Sequence, residues 1–413
     1  MCLAALSGCM QMEWRGSMFP HLGIKKDDGQ LSQGERPSGS ERSPLRNIPA
    51  GWPQFRGPSR DGVVADQGIS LRWNSPPPVR WKVPAGEGHS SVVISGRSAL
   101  SMEQDGQNEI LISRSLEDGS TLWKHPVKTR WEDFMSGPGP RTTPTLSAGR
   151  VYGLYSNGLL TCLDAVDGKV VWTRKVIEDE YEFPDWGISC SPLVWNDLVI
   201  LGLGGKTGAA KAYHATTGKP AWKSELSGKG VYLSPVILNL LGAKHLIIGM
   251  EGTVAGLDPT SGSTLWKKPW KIFLNNAQIA QPLALSKNSF LLSAGYGKGA
   301  ECLSVSSGAN VPYLLATSWK SKNLKSKFSN PVFKDGFIYG LNENSLTCLD
   351  SSTGELKWRG KKYGYGRVLL SSGKLIILGN TGVLSVVEAN PEKFVEIYSG
   401  QLLSDVRCWN GPA

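Results

Sequence analysis

Two short stretches of this chain concentrate residue types that could grip a partner. Glu178, Asp179, Glu180, Tyr181, Glu182, Asp185 and Trp186 fall within Val176 to Gly187, and Arg130-Trp131-Glu132-Asp133-Phe134 mixes aromatics with charge in the same way. Aromatic rings and arginine are enriched at binding surfaces, so the chemistry offered is recognition rather than bond making. Arg130, Trp131, Arg141, Tyr181 and Trp186 are the candidate partner-binding residues here. The plainer alternative is a pair of solvated loops, each with a Trp tucked against the body of the fold.

Other groupings that could do chemistry fail on spacing. Gly202-Leu203-Gly204-Gly205-Lys206-Thr207 looks like a phosphate loop, but the first glycine of that pattern would fall on Ile200 and no helical pattern follows. The five histidines, at 21, 89, 125, 214 and 245, lack metal-ligand spacing. No pair of the seven cysteines stands at Cys-x-x-Cys spacing. No catalytic, cofactor-binding or metal-binding residue is assigned.

What positions the candidate loops is a repeat. Cys348-Leu349-Asp350-Ser351-Ser352-Thr353-Gly354-Glu355-Leu356-Lys357-Trp358 has copies at Asp164 to Trp172 and Asp258 to Trp266, and at Ser115 to Trp123 and His214 to Trp222 with the first position changed. A sixth copy, Ser304 to Gly308, has lost its Trp. The tryptophans at 123, 172, 222, 266 and 358 are 49, 50, 44 and 92 residues apart, the last gap holding two units. That period belongs to four-stranded propeller blades. A strand ends at the Asp, whose carboxylate accepts from the turn's backbone, the Gly supplies a positive φ, and the Trp fills the wedge between blades. Trp123, Asp164, Trp172, Trp222, Asp258, Trp266, Asp350 and Trp358 are therefore structural. Cys162, Cys302 and Cys348 share one repeat position and read as small buried apolar residues that cannot reach one another.

A polar residue followed by Pro marks the units independently, at Thr143-Pro144, Ser191-Pro192, Ser234-Pro235, Gln281-Pro282 and Asn330-Pro331, with prolines spaced 48, 43, 47 and 49. Proline suits the first residue of a strand, where no ladder bond is needed. First strands line a propeller's channel, so these side chains should ring one mouth; Gln281 and Asn330 join the partner-binding candidates on that ground.

With 413 residues and 40% apolar content, the chain is read as one all-β propeller over residues 51–413 behind a polar tether, residues 1–50. The net charge of +10 is scattered; its densest run, Lys320 to Lys327, reads as a solvated face, and no nucleic acid is expected. No stretch approaches 18 apolar residues. Leu6-Ser7-Gly8-Cys9 resembles a lipobox, which makes Cys9 a lipidation candidate, although only eight residues precede it and none is basic.

The Asp-x-x-Thr-Gly-x-x-x-Trp frame resembles the pyrroloquinoline quinone (PQQ) repeat family, the quinoprotein alcohol dehydrogenase-like β-propellers, over about residues 51–413. That family divides into quinone-dependent dehydrogenases and non-enzymatic propellers such as BamB of the outer-membrane assembly machinery. The dehydrogenases carry a vicinal Cys-Cys and a Ca²⁺ ligand set; this sequence has no Cys-Cys, and the ligands match no particular positions. The resemblance thus implies an extracytoplasmic, monomeric, non-catalytic scaffold for protein or peptide partners, without a resident cofactor and touching membrane only through a lipid anchor. The alternative is a dehydrogenase with PQQ and Ca²⁺ in a non-standard site.

The ends of the repeat set the expected closure. Pro78-Val79-Arg80-Trp81-Lys82 looks like a closing strand without a blade, and Cys408-Trp409-Asn410-Gly411-Pro412 like an opening one. Eight blades are expected, the last shared by both ends and incomplete, with a seven-bladed ring as the alternative.

Overall fold

The computed structural model describes residues 12–13, 21–22, 51–64, 71–73, 75–273, 277–309, 311–404 and 408–413. Cys9 and most of the expected tether lie outside the described residues. Seven four-stranded antiparallel blades follow one another along the chain, covering residues 93–128, 145–175, 193–223, 236–269, 283–321, 332–362 and 367–401, here blades 1 to 7, the last extended by the parallel strand Val63–Val64. Each runs in simple up-and-down order; blade 2 is Thr145–Ser147, Arg150–Leu154, Leu159–Asp164 and Val170–Lys175. The described residues include no helix.

Burial follows from a blade being covered on both faces by its neighbours. Leu198–Gly202, a second strand, is buried at all five positions, which requires a continuous apolar run rather than alternation. Fourth strands face solvent, and in Val170–Lys175 the only buried position is Trp172. The first strands lie side by side around the axis and line the channel.

The repeat frame performs the role its chemistry dictates. Asp350 Oδ1 accepts from the backbone N–H groups of Ser352 at 2.8 Å and Thr353 at 3.3 Å, and Gly354 stands at φ +75°. A register shift breaks the ladder just before each turn, as between Cys162 and Leu163 or Cys348 and Leu349, so the Trp pairs with the residue before the bulge. The indole then crosses to the next blade. Trp123, Trp172, Trp222, Trp319 and Trp358 donate to the carbonyls of Ala165, Ala215, Pro259, Ser351 and Asn390 at 2.8–3.2 Å. Trp266 departs from this by donating within its own blade to His245 Nδ1 at 2.9 Å while stacking on Phe290 of blade 5. The sixth copy has not lost its Trp: a longer turn displaces it to Trp319, which pairs with Cys302 as Trp172 pairs with Cys162.

The crossing indoles of Trp123, Trp172, Trp222 and Trp319 sit on the turn glycines Gly168, Gly218, Gly262 and Gly354 of the next blade, while Trp358 meets Phe394 instead. A Cβ on Gly168, at φ +71°, would lie 2.6 Å from the Trp123 ring. Gly168→Ala is expected to cost about 2 kcal/mol or more, from left-handed backbone strain plus the displaced ring, read as a lower midpoint in urea unfolding. Gly242→Ala, at φ +80° with open space around it, should cost only the backbone share.

Ring closure joins both chain ends. Trp81 repeats the blade pattern, donating to the Leu116 carbonyl at 2.9 Å and resting on Gly119 of blade 1. At the inner edge Gly411 N–H donates to Ser91 Oγ at 3.4 Å, and Cys408 N–H to the Asn380 carbonyl at 2.8 Å. Trp52, Leu71 and Trp73 fill the space between, packed against Leu369, Ile376, Leu384, Val386 and Tyr398 of blade 7. The eighth position therefore holds an opening and a closing segment, while the complete sheets among the described residues number seven. Without middle strands to hold them, amides of residues 79–83 should exchange with solvent much faster than those of Leu349 to Trp358; equal protection would mean that a full sheet forms there.

The repeat-position cysteines are buried and free. Burial pushes the thiols of Cys162 and Cys190 up to about 11 and that of Cys348 to about 12. Since the thiolate is the reactive form, these three should resist maleimide at pH 8 and label only on unfolding, whereas the half-buried Cys408 should label in the native protein.

Candidate functional site: the channel mouth

A belt of hydrogen bonds runs around the inner ends of the blades. The backbone N–H of Ser91 donates to Thr143 Oγ1, that of Thr143 to Ser191 Oγ and that of Ser191 to Ser234 Oγ, at 2.9–3.0 Å. Gln281 N–H donates to Asn330 Oδ1 at 2.7 Å, and Gln281 Nε2 to the Ser234 carbonyl at 3.1 Å. The polar-Pro markers thus do ring the channel. Gln281 and Asn330 are 2% and 4% exposed and use polar atoms inside the ring, so they shape the mouth from within.

The chain's own segment 52–64 plugs the channel. It pairs with Ile94 of blade 1 through Trp52, reaches Leu146 of blade 2 through the Pro53 carbonyl, and runs parallel to blade 7 as Val63–Val64. Arg60 donates to the carbonyls of Pro235 at 2.8 Å, Ser191 at 3.4 Å and Pro192, spanning blades 3 and 4. Arg56 donates to the Pro331 carbonyl at 2.8 Å on blade 6. Gly62 lies at φ +77° against the Arg56 guanidinium, a turn that only glycine makes without strain. Burial pushes both arginines down to about 9, so they stay charged at neutral pH.

One side of the plug borders a cavity of about 100 Å³ whose lining includes Phe55 from the plug, Trp186, Tyr232, Phe328 and Trp409, with Arg141, Arg367 and the hydroxyls of Ser91, Ser189 and Ser234 between them. Trp186 stacks on Tyr232 at 4.9 Å between ring centres and Phe328 on Trp409 at 4.9 Å. Arg367 donates through Nε to the Trp409 carbonyl at 2.7 Å, and its Nη1 has no acceptor among the described residues.

The rim is built by the stretch that begins at Arg130. Glu132–Asp133 and Gly137–Pro138 form a small hairpin with Phe134 and Met135 at its tip, 71% and 58% exposed. Asp133 organises it, accepting from Ser136 N–H at 2.7 Å, Trp131 Nε1 at 3.1 Å and Arg141 Nη2 at 2.8 Å. Burial would raise that carboxyl, but the hydrogen bonds from Ser136 and Trp131 and the Arg141 charge outweigh it and hold it below the usual range. Arg130 lies outside, exposed and paired with Glu132 at 2.5 Å. The acidic stretch is pinned to blade 3 and its neighbour by lysines: Lys211 on Glu178, Lys206 on Glu180, and Lys229 on Glu182 and Asp185. Tyr181 donates to the Leu203 carbonyl at 2.6 Å, which fixes the loop that delivers Trp186.

Of the sequence candidates, Arg141 and Trp186 meet in one cavity, Arg130 and Trp131 stand at its rim hairpin, and Tyr181, Gln281 and Asn330 hold the surrounding structure. Sequence reasoning missed Arg56, Arg60, Tyr232, Phe328 and Arg367. The channel role of residues 52–64 carried no signal in the repeat, and Trp409 stood out only as part of an opening strand.

The arrangement suits binding of a group with an apolar surface and an acceptor. Its lining does not fit a Ca²⁺-bound quinone: among the described residues no carboxylate lines the cavity and no cluster of three His, Cys, Asp or Glu could hold a metal, and about 100 Å³ is below the roughly 300–1,000 Å³ of small-molecule pockets.

Similarity to known proteins agrees with the geometry of the repeat. Residues 70–360 match the family described as outer membrane protein assembly factor BamB. Among solved structures the chain is similar to BamB from Moraxella catarrhalis, at 14% identity and TM-score 0.51 over 76% of this chain and 85% of that one. It is also similar to the quinohemoprotein alcohol dehydrogenase of Pseudomonas putida HK5, at 12% identity and TM-score 0.56 over 87% and 73%. A tetrathionate hydrolase from Acidianus ambivalens is 24% identical over 37% of this chain, a match that spans only 31% of that protein. At these identities the solved structures establish fold alone, and the match over residues 70–360 settles the kinship: the chain belongs to the BamB family of PQQ-repeat β-propellers.

Proposed function

We propose that this propeller is a non-catalytic scaffold of the cell envelope that docks a protein or peptide segment across the channel mouth. The observation that carries the reading is the mouth itself, with paired aromatic stacks, guanidinium and hydroxyl donors, an apolar-tipped hairpin on the rim and a floor closed by the chain's own plug. Buried aromatic and arginine anchors are what interface hot spots consist of, and a plugged channel blocks passage of a ligand from one face to the other. The BamB kinship supports protein partners and an extracytoplasmic place; a lipid on Cys9 would supply the anchor.

The competing reading is a dehydrogenase. Purified protein incubated with PQQ and Ca²⁺, then given primary alcohols and a dye acceptor, should show no turnover above the protein-free rate. The same should hold for tetrathionate, the substrate named for the partial relative. Turnover that saturates with substrate in either assay would overturn the non-catalytic reading. Fractionation of the producing cells should place the chain with the envelope, and recovery in the cytosol alone would contradict the location.

A further inference from the structure

The channel holds more positive charge than its neighbours neutralise. Arg56, Arg60 and Arg367 are all directed into it, and none forms an ion pair with a carboxylate among the described residues; Arg141 has one, Asp133. Arg56 and Arg60 spend their donors on backbone carbonyls and, from Arg60 Nε, on Gln54 Oε1. Arg141 and Arg367 instead line the mouth cavity with donors left over: Arg141 Nε and Arg367 Nη1 are buried and have no acceptor among the described residues. The Arg141 side chain is only 8% exposed. A buried guanidinium retains its charge, and its planar fork matches a carboxylate.

We propose, building on the docking reading above, that this cavity is a carboxylate pocket which takes the acidic end of a peptide, with Arg367 as the principal cation and Arg141 beside it. Charge complementarity selects the occupant's end, and the rest of the mouth selects its body. Phe328, stacked on Trp409 beside Arg367, offers a flat apolar wall for the residue that carries the carboxylate, while Phe134 at the rim receives the residues before it. A cavity of about 100 Å³ admits one carboxylate and part of a side chain, so the peptide enters end first rather than as a loop. Glu109, whose pKa is raised by burial, does not line the cavity.

The test uses the whole chain and a fluorescein-labelled hexapeptide ending in Leu-Phe, once as the free acid and once as the amide, read by anisotropy. Quenching of the cavity tryptophans gives a second readout. We expect the acid to bind at least tenfold more tightly than the amide, Arg367→Gln to remove that preference, Arg367→Lys to keep part of it, and Phe134→Ala to weaken both peptides alike. Thermal melts within a few degrees of the parent keep the Arg367 variants interpretable, and the acid-to-amide ratio of the parent stands without them. Equal binding of acid and amide would overturn the carboxylate pocket while leaving the docking face intact. Absence of binding by both would overturn docking at this mouth. Acetate or inorganic sulfate alone competing as tightly as the peptide acid would also overturn the proposal, since the site would then read a free oxyanion.

Discussion

Trp172→Ala should destabilise the propeller by about 3–5 kcal/mol, the range for truncating a large core aromatic. Trp172 is 9% exposed, rests on Gly218 of the next blade and donates to the Ala215 carbonyl, packed among Tyr152, Val199, Leu201 and Tyr213. Removing it opens a void between blades 2 and 3 that neither sheet can close without breaking its own ladder. Urea unfolding followed by tryptophan fluorescence would give the number, and a loss below 1 kcal/mol would contradict the role of the indole as an inter-blade wedge. Trp222, which is less buried, should cost less in the same assay.

Arg60→Ala should cost about 2–4 kcal/mol, because hydrogen bonds from a charged donor contribute roughly 1.5–3 kcal/mol each and removing the donor leaves buried carbonyls behind. Pro192 and Pro235 keep second donors from Thr145 and Gln281, but Ser191 does not. The guanidinium is desolvated without a carboxylate, which offsets part of the gain and sets the upper end of the range. Arg60→Lys should recover less than half, since an ammonium cannot span two blades as the planar fork does. Hydrogen exchange should then rise across residues 52–64 before it rises in the blades; unchanged protection would mean that the plug is held by Trp52 and Val63–Val64 alone.

The blades were legible in the sequence because each unit repeats a local solution: a carboxylate that caps its own turn, a glycine at positive φ and an indole at fixed distance. The polar-Pro marker was legible for the same reason. Trp319 escaped the frame only because a longer turn separates it from Ser304. The functional mouth was harder to read, since its residues are brought together by closure of the ring rather than by local pattern. Phe328 meets Trp409 across 81 positions, and Arg60 meets Pro235 across 175. Arg130, Trp131 and Trp186 stood out through composition. Arg367 had no local signal, since one arginine at a strand start resembles any other until the cavity beside it is seen. Seven complete sheets followed from the repeat; where an eighth blade shared by both ends was expected, the described residues hold an opening and a closing segment and no complete sheet.

The central claim is that partners dock across the channel mouth rather than on the outer strands. The most direct measurement places a photo-crosslinking amino acid at Phe134, on the rim, and in a second variant at Val171, 41% exposed on an outer strand, and irradiates the producing cells. We expect discrete protein adducts from position 134 and none from position 171. No adduct at 134, or the same pattern from both positions, would contradict docking at the mouth.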